Sequence, residues 1–197
     1  MKCPWSRAPG TAATLEDLRA VPDDRVAHLV DGQIYSHARP RVAHAELNGV
    51  LYRELANSFN DTRRGGPGGW LFLVEPELAL GGNVLVPDIA AWRRERLARA
   101  PATTQISLRP DWVCEVLSKG TEAFDRGPKR RAYLQSGVPH LWYVQPEAKL
   151  IEVYGKQGDF YASVAEGSFV EPIKLEPFET AAVELGELGE WIDATEE

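Results

Sequence analysis

Apolar residues recur along this chain in two rhythms. Between Val42 and Phe59, residues Leu47, Val50, Leu51, Leu55 and Phe59 fall three and four positions apart, which describes one face of a helix. Elsewhere the apolar runs are short and rich in β-favouring residues. Val26 to Val30 and Gln33 to Tyr35 flank Asp31-Gly32, a pair that accepts the left-handed backbone of a tight turn, so a β-hairpin is predicted over 26–37. Trp70 to Leu80 and Val84 to Trp92 predict two further strands joined through Gly81-Gly82-Asn83. Pro87 cannot donate to a ladder, so the second of these strands is interrupted or lies at a sheet margin there. Asp111 to Ser118 carries apolar residues on both alternating faces, the mark of a central strand. A helix is predicted to begin near Pro128, which suits a first-turn position, and to stop before Gly137. Leu141 to Val144 and Leu150 to Tyr154 predict strands separated by a turn at Gln145-Pro146-Glu147, and Phe160 to Val164 and Val170 to Leu175 predict another pair. The order of helix, strands, helix, strands suits a mixed α/β sandwich better than a doubly wound parallel sheet.

At 197 residues the chain is long enough for one well-buried core, and no interior stretch resembles a linker between two cores. The expected division is a peripheral N-terminal segment over 1–25, with a short helix capped by Thr14, then a single domain over 26–180 and an acidic tail over 181–197. The longest apolar runs are strand-sized, and Met1-Lys2-Cys3-Pro4-Trp5 lacks an apolar signal core, so a cytoplasmic protein with no membrane partner is expected. Cys3 and Cys114 are too few for a disulfide framework. The formal net charge of -7 argues against indiscriminate nucleic-acid binding, although local basic runs exist at Arg63-Arg64, at Arg93, Arg94, Arg96 and Arg99, and at Arg126 to Arg131.

Two carboxylates interrupt the most apolar strands: Asp88 after Val84-Leu85-Val86-Pro87, and Glu115 within Trp112-Val113-Cys114-Glu115-Val116-Leu117. An ionised carboxylate out of water needs a cation, a metal or several hydrogen-bond donors. The two are far enough apart in the chain to leave one strand, cross a loop and return alongside it, so neighbouring strands could present both acids together. Two carboxylates, a backbone carbonyl and waters match the hard oxygen ligands that magnesium prefers. Lys129 could then orient or deprotonate a water, or balance charge on a phosphoryl group.

In these residues the chain resembles a known family. Val-Pro-Asp88, Glu115-Val-Leu-Ser118, Asp125, Lys129, Tyr133 and Gly137-Val138-Pro139-His140-Leu141-Trp142 look like the Uma-two family, a bacterial branch of the PD-(D/E)XK nucleases. The resemblance runs from about Val26 to Tyr154 and includes the Asp31-Gly32 hairpin, His44 opening the first helix, and Glu75-Pro76. It implies a restriction-endonuclease-like core: a central mixed β-sheet flanked by helices, with an N-terminal hairpin and extra C-terminal strands. It also implies metal-dependent cleavage of DNA with Mg2+, or Mn2+ in its place. Asp88, Glu115 and the Val116 carbonyl would be the metal ligands, Lys129 would complete the catalytic set, and His44, Glu75, Ser118 and Tyr133 would support it. The usual superfamily lysine position, two after the glutamate, holds Leu117, so that role passes to Lys129 in the family's Asp-x-x-x-Lys-x-x-x-Tyr segment. His28 stands where members commonly carry Glu.

Each residue also has a plainer reading. Asp88 could accept turn hydrogen bonds after proline, and Glu115 could be satisfied by a buried ion pair with Lys129 or an arginine. His44 could cap its helix, and Glu75 could merely precede Pro76 in an edge strand. His28, His37 and His140 lack close metal-ligand spacing and are read as structural. The rival functions are accordingly a non-catalytic binding or assembly module of the same fold, and a phosphodiesterase acting on RNA or small substrates. A homodimer would match the two-fold symmetry of duplex DNA.

Overall fold

A computed structural model describes residues 11–39, 42–60, 65–169 and 171–185. Cys3, Arg63, Arg64, Val170 and the acidic tail from 186 onward lie outside the described residues. Two sheets organise the chain. The smaller has the strand order β2 (Gln33–Ala38), β1 (Arg25–Val30), β5 (Asn83–Leu85), β4 (Leu78–Leu80). The larger runs β10 (Phe160–Ser168), β9 (Leu150–Gln157), β8 (His140–Gln145), β7 (Trp112–Val116), β6 (Ile89–Arg93), β3 (Trp70–Val74). The named strands pair antiparallel except β7 with β8, whose parallel union needs a long crossover; a single parallel bridge also joins Leu78 to Ile106. That crossover is helical: α3 (Glu122–Phe124), a wide turn of π-helical geometry (Asp125–Lys129) and α4 (Arg130–Gln135) follow one another directly. Two helices precede it, α1 (Leu15–Arg19) and α2 (Val42–Phe59).

The Asp31-Gly32 hairpin forms as the sequence predicts: both residues have positive φ, and Val30 pairs with Gln33. The next two expected strands are each broken in the middle. Glu75 takes a φ of 47° before Pro76, and Pro87 removes a donor on the facing strand, so the continuous hairpin bends here. Its register nevertheless persists across the bend, since Val74 pairs with Ile89, Glu75 N–H donates to the Asp88 carbonyl at 3.0 Å, and Leu78 pairs with Leu85. One half therefore belongs to the large sheet and the other to the small one.

The predicted helix start at Pro128 also needs correction. Helical structure begins at Glu122 and passes through Pro128 in the wide turn, where Arg130 N–H reaches back to the Asp125 carbonyl. A π turn accommodates proline, which lacks an N–H and crowds the preceding turn. The strand expected over 170–175 is reduced to one bridge between Ile173 and Val183.

β7 is buried along its whole length because the large sheet is covered on both faces. On one face lie Leu47, Leu51, Leu55 and Phe59 of α2, with Phe169, Phe178, Val183 and Leu185 from the C-terminal segment. On the other lie Ala132 and Tyr133 of α4, with Val30, Leu80 and Leu85 of the small sheet. Among the described residues no helix is long and apolar enough to cross a membrane.

Candidate active site

Strand register brings the two acids together. β6 and β7 pair Ala91 with Trp112, Ala90 with Val113 and Ile89 with Cys114; one step further, Asp88 faces Glu115. Alternation puts both side chains on the face shared by Ala90 and Val113, toward the helical crossover. The ladder stops where Pro87 follows in the register, and Asp88 takes over its bonding: Asp88 Oδ2 accepts from Val116 N–H at 2.7 Å. Asp88 N–H in turn points at Glu115 Oε2, at 3.4 Å.

Directly opposed like charges repel, and the crossover supplies the answer. Lys129 Nζ donates to Glu115 Oε2 at 2.6 Å and to Asp125 Oδ1 at 3.4 Å, while the Tyr133 hydroxyl donates to Glu115 Oε1 at 2.6 Å. Asp125, Lys129 and Tyr133 are four residues apart, so one helical face delivers all three. Tyr143, the cross-strand partner of Glu115 on β8, donates its hydroxyl to the Asp125 carbonyl at 2.9 Å and ties the wide turn to the sheet. From the first turn of α2, His44 Nε2 meets Asp88 Oδ1 at 3.0 Å.

The cluster is graded in depth. The side chains of Glu115 and Lys129 are 1% and 5% exposed, whereas those of Asp88 and His44 are 16% and 18% exposed and form the mouth. Burial alone would raise the Asp88 pKa, but the His44 hydrogen bond and charge, Lys129 and the Val116 N–H hold it below the ordinary aspartate value. Burial opposes protonation of His44, yet the Asp88 bond and the charges of Asp88, Asp125 and Glu75 lift its pKa above the ordinary histidine value. Burial likewise works against the Lys129 ammonium and is outweighed by Glu115, Asp125 and Asp88, so Lys129 stays a cation. Glu115 is pushed up by burial and by the charges of Asp125 and Asp88. Burial and Glu115 keep the Tyr133 phenol protonated, as a donor must be.

The structure thus gathers Asp88, Glu115, Lys129, Tyr133 and His44 into one network. Glu75 is exposed at its edge, linked through its backbone N–H to the Asp88 carbonyl. Ser118 stands apart: it is exposed, its hydroxyl lies 3.0 Å from that of Thr121, and its carbonyl accepts from Glu122 N–H at the helix start. Val116 enters the network through its N–H. Asp125 belongs to the site although it is not among the residues expected there; its spacing from Lys129 and Tyr133 is the signal for it. His28, at a position where family members commonly carry Glu, is read from the sequence as structural. This residue is fully buried in the small sheet, accepts from Val86 N–H at Nδ1 (3.2 Å) and meets His37 Nε2 at 3.4 Å. Burial first, then the Lys129 charge and His37, keep it neutral. Among the described residues no three or more His, Cys, Asp or Glu side chains are grouped to hold a metal.

The Uma2 family, described as "Putative restriction endonuclease", matches residues 13–185, and the chain belongs to that family. The chain is also similar to the crystal structure of "a putative nuclease belonging to DUF820" from Anabaena variabilis. The two share 19% identity at a TM-score of 0.70, over 91% of this chain and 98% of that one. The fold is therefore restriction-endonuclease-like. No curated protein matches.

Replacing Lys129 by Met leaves Glu115 buried beside Asp88 without its cation, and should cost about 3–5 kcal/mol of unfolding free energy. Adding Glu115→Gln should restore part of that loss, as read by urea denaturation; equal stability of wild type and Lys129→Met would contradict the electrostatic assignment. His28 predicts a pH effect. Its folded pKa lies well below the ordinary 6.5, so the unfolded chain binds the extra proton. Stability should therefore fall as pH drops below 6.5, by at most about 1.4 kcal/mol per pH unit. His28→Gln should remove that part of the pH dependence, with His44 common to both proteins.

Proposed function

We propose that the protein is a metal-dependent endonuclease that hydrolyses DNA phosphodiester bonds at the Asp88–Glu115 pair. The observation that carries this reading is the placement of two acids opposite each other at a strand end, with a permanently charged lysine behind them and a partly open mouth in front. Family membership and fold agree with it.

The donor set fits magnesium in kind. Asp88 and Glu115 offer hard carboxylate oxygens, and magnesium is commonly held by one or two carboxylates, with waters and substrate phosphate completing its octahedron. Asp88 Oδ1, Asp88 Oδ2 and Glu115 Oε1 each accept one hydrogen bond from the protein and keep a second lone pair, whereas Glu115 Oε2 is met by both Lys129 Nζ and the Asp88 N–H. Asp88 and Glu115 would hold the ion, and the Val116 carbonyl is the candidate third ligand. Such an ion supplies Lewis-acid polarisation of a phosphoryl oxygen and lowers the pKa of bound water.

The side chains divide the remaining work. Lys129 keeps its proton, so its role is to offset negative charge that builds on the phosphoryl group rather than to accept a proton. Tyr133 fixes Glu115 through Oε1. His44 hydrogen-bonds Asp88 from the mouth, where both side chains are partly exposed. Asp125 Oδ1, 3.4 Å from Lys129 Nζ, gives the ammonium a second carboxylate partner.

A second reading, a nuclease-fold binding module without catalysis, draws on the same ion pair. Lys129 already occupies a Glu115 oxygen, and a structural salt bridge needs no metal. Nicking of supercoiled plasmid with and without magnesium separates the two. The endonuclease reading predicts magnesium-dependent nicking that falls on the order of 100-fold or more in Asp88→Asn and Glu115→Gln variants that retain the wild-type circular dichroism spectrum. Equal nicking by all three proteins, or none by wild type on DNA, would reject it. Cleavage of RNA alone would favour the phosphodiesterase alternative.

A further inference from the structure

Asp88 sits on the short link Val86-Pro87-Asp88 between β5 of the small sheet, which ends at Leu85, and β6 of the large sheet, which begins at Ile89. We propose that His28 is a positioning residue of the site: by accepting the Val86 N–H at Nδ1 it fixes this link, and through the link the carboxylate of Asp88. For its catalytic consequence the proposal rests on the endonuclease reading above, and it gives the small sheet a part in that chemistry.

The link offers few backbone anchors. Pro87 has no N–H, and the Asp88 N–H is 3.4 Å from Glu115 Oε2, beyond the usual hydrogen-bond range. The Val86 N–H, 3.2 Å from His28 Nδ1, is the donor that ties the link to the small sheet. Nearby, β1 meets β5 in register at one position, Leu29 with Val84, directly after His28. Asp88 itself is held by the Glu75 and Val116 N–H groups and by His44, none of which belongs to the small sheet. Without His28 the small-sheet end of the link loses its hold two residues before the carboxylate.

The ring that takes this bond is locked in one orientation and one tautomer. Because Nδ1 accepts, the proton of the neutral imidazole is on Nε2, which faces His37 Nε2 at 3.4 Å. His37 Nδ1 lies 2.8 Å from the Ala38 carbonyl, which can only accept, so His37 carries its proton on Nδ1 and leaves Nε2 to receive. Donation thus runs in one direction from the Val86 N–H through His28 and His37 to the Ala38 carbonyl. The two imidazoles stack with centroids 5.6 Å apart, and Phe124 packs on His28 at 4.9 Å and on Tyr35 at 4.5 Å. Phe124 directly precedes Asp125, the second carboxylate partner of Lys129, so the same ring adjoins both halves of the site. An apolar side chain would fill this fully buried position without the cost of desolvating an imidazole. What it would lack is the acceptor for Val86.

The test compares wild type with His28→Asn, His28→Gln and His28→Leu. Asparagine carries an acceptor oxygen at the δ position, where His28 has Nδ1; glutamine moves its amide out to the ε position, and leucine offers no acceptor. In metal-free protein, amide hydrogen exchange followed by NMR reads the Val86 bond directly and, because the Val116 N–H donates to Asp88 Oδ2, also reads the place of the Asp88 carboxylate. Both amides should exchange about tenfold faster in His28→Gln and His28→Leu, as for the loss of one hydrogen bond, and stay near wild type in His28→Asn. Magnesium-dependent nicking should fall about 10- to 100-fold in the same two variants, in kcat rather than KM, and recover in His28→Asn. Wild-type Val116 exchange in His28→Gln and His28→Leu, or a His28→Asn protein no better than His28→Leu, would overturn the positioning role. Unchanged nicking in His28→Gln and His28→Leu would overturn it too and leave the endonuclease reading standing. If His28→Leu loses the wild-type circular dichroism spectrum, the contrast between His28→Asn and His28→Gln decides. If wild type does not nick DNA, the endonuclease reading falls and the exchange rates alone decide whether His28 positions Asp88.

Discussion

Everything in this fold turns on two carboxylates facing each other across one pair of antiparallel strands. Asp88 and Glu115 occupy opposed positions on the same face of the large sheet, Glu115 buried and Asp88 at the mouth, where water screens their repulsion only in part. An apolar pair there would hold the strands together at no electrostatic cost. The chain instead surrounds the acids with an ammonium, a phenol, an imidazole and a backbone N–H, each from a different point in the sequence. Such a cluster costs stability to assemble, and a protein gains from it chiefly where concentrated negative charge serves chemistry.

The rest of the architecture follows from delivering those partners. The bend at Pro76 and Pro87 ends the backbone ladder at Asp88, so that its side chain takes the Val116 N–H. The same bend passes the hairpin into the small sheet, which closes over the site's face of the large sheet and carries His28 toward Lys129. The wide turn at Asp125–Lys129 lets a proline lie within the crossover while Lys129 and Tyr133 still point at one glutamate. The parallel union of β7 and β8 makes that crossover obligatory. Fold and site are therefore one arrangement: the connection that the parallel pair requires is also the element that neutralises Glu115.

Much of this was legible in the chain itself. Periodicity located α2, Asp31-Gly32 located the hairpin, and the doubly apolar β7 announced a sheet covered on both sides. Asp88 and Glu115 stood out because an acid in an apolar strand demands a partner. What local pattern could not convey was long-range geometry. The two broken strands look continuous because their register is continuous; only the pairing shows that each half joins a different sheet. Pro128 reads as a helix start because that is its usual place, and tertiary packing through Tyr143 holds an earlier start instead. Ser118 resembles a site residue by its position after Glu115, yet it serves the turn. Asp125 is visible in the Asp-x-x-x-Lys-x-x-x-Tyr segment, but its place just outside the expected helix gives no sign that it turns toward Lys129.

The central claim is that the opposed acids form the seat of a divalent ion. Anomalous diffraction from crystals soaked in manganese tests it most directly. The account predicts a single strong peak within about 2.2 Å of an oxygen from each of Asp88 and Glu115, with Lys129 displaced from Glu115 or sharing it. Density lacking such a peak, with Lys129 still seated on Glu115 at saturating manganese, would contradict the account and leave the pair a structural salt bridge.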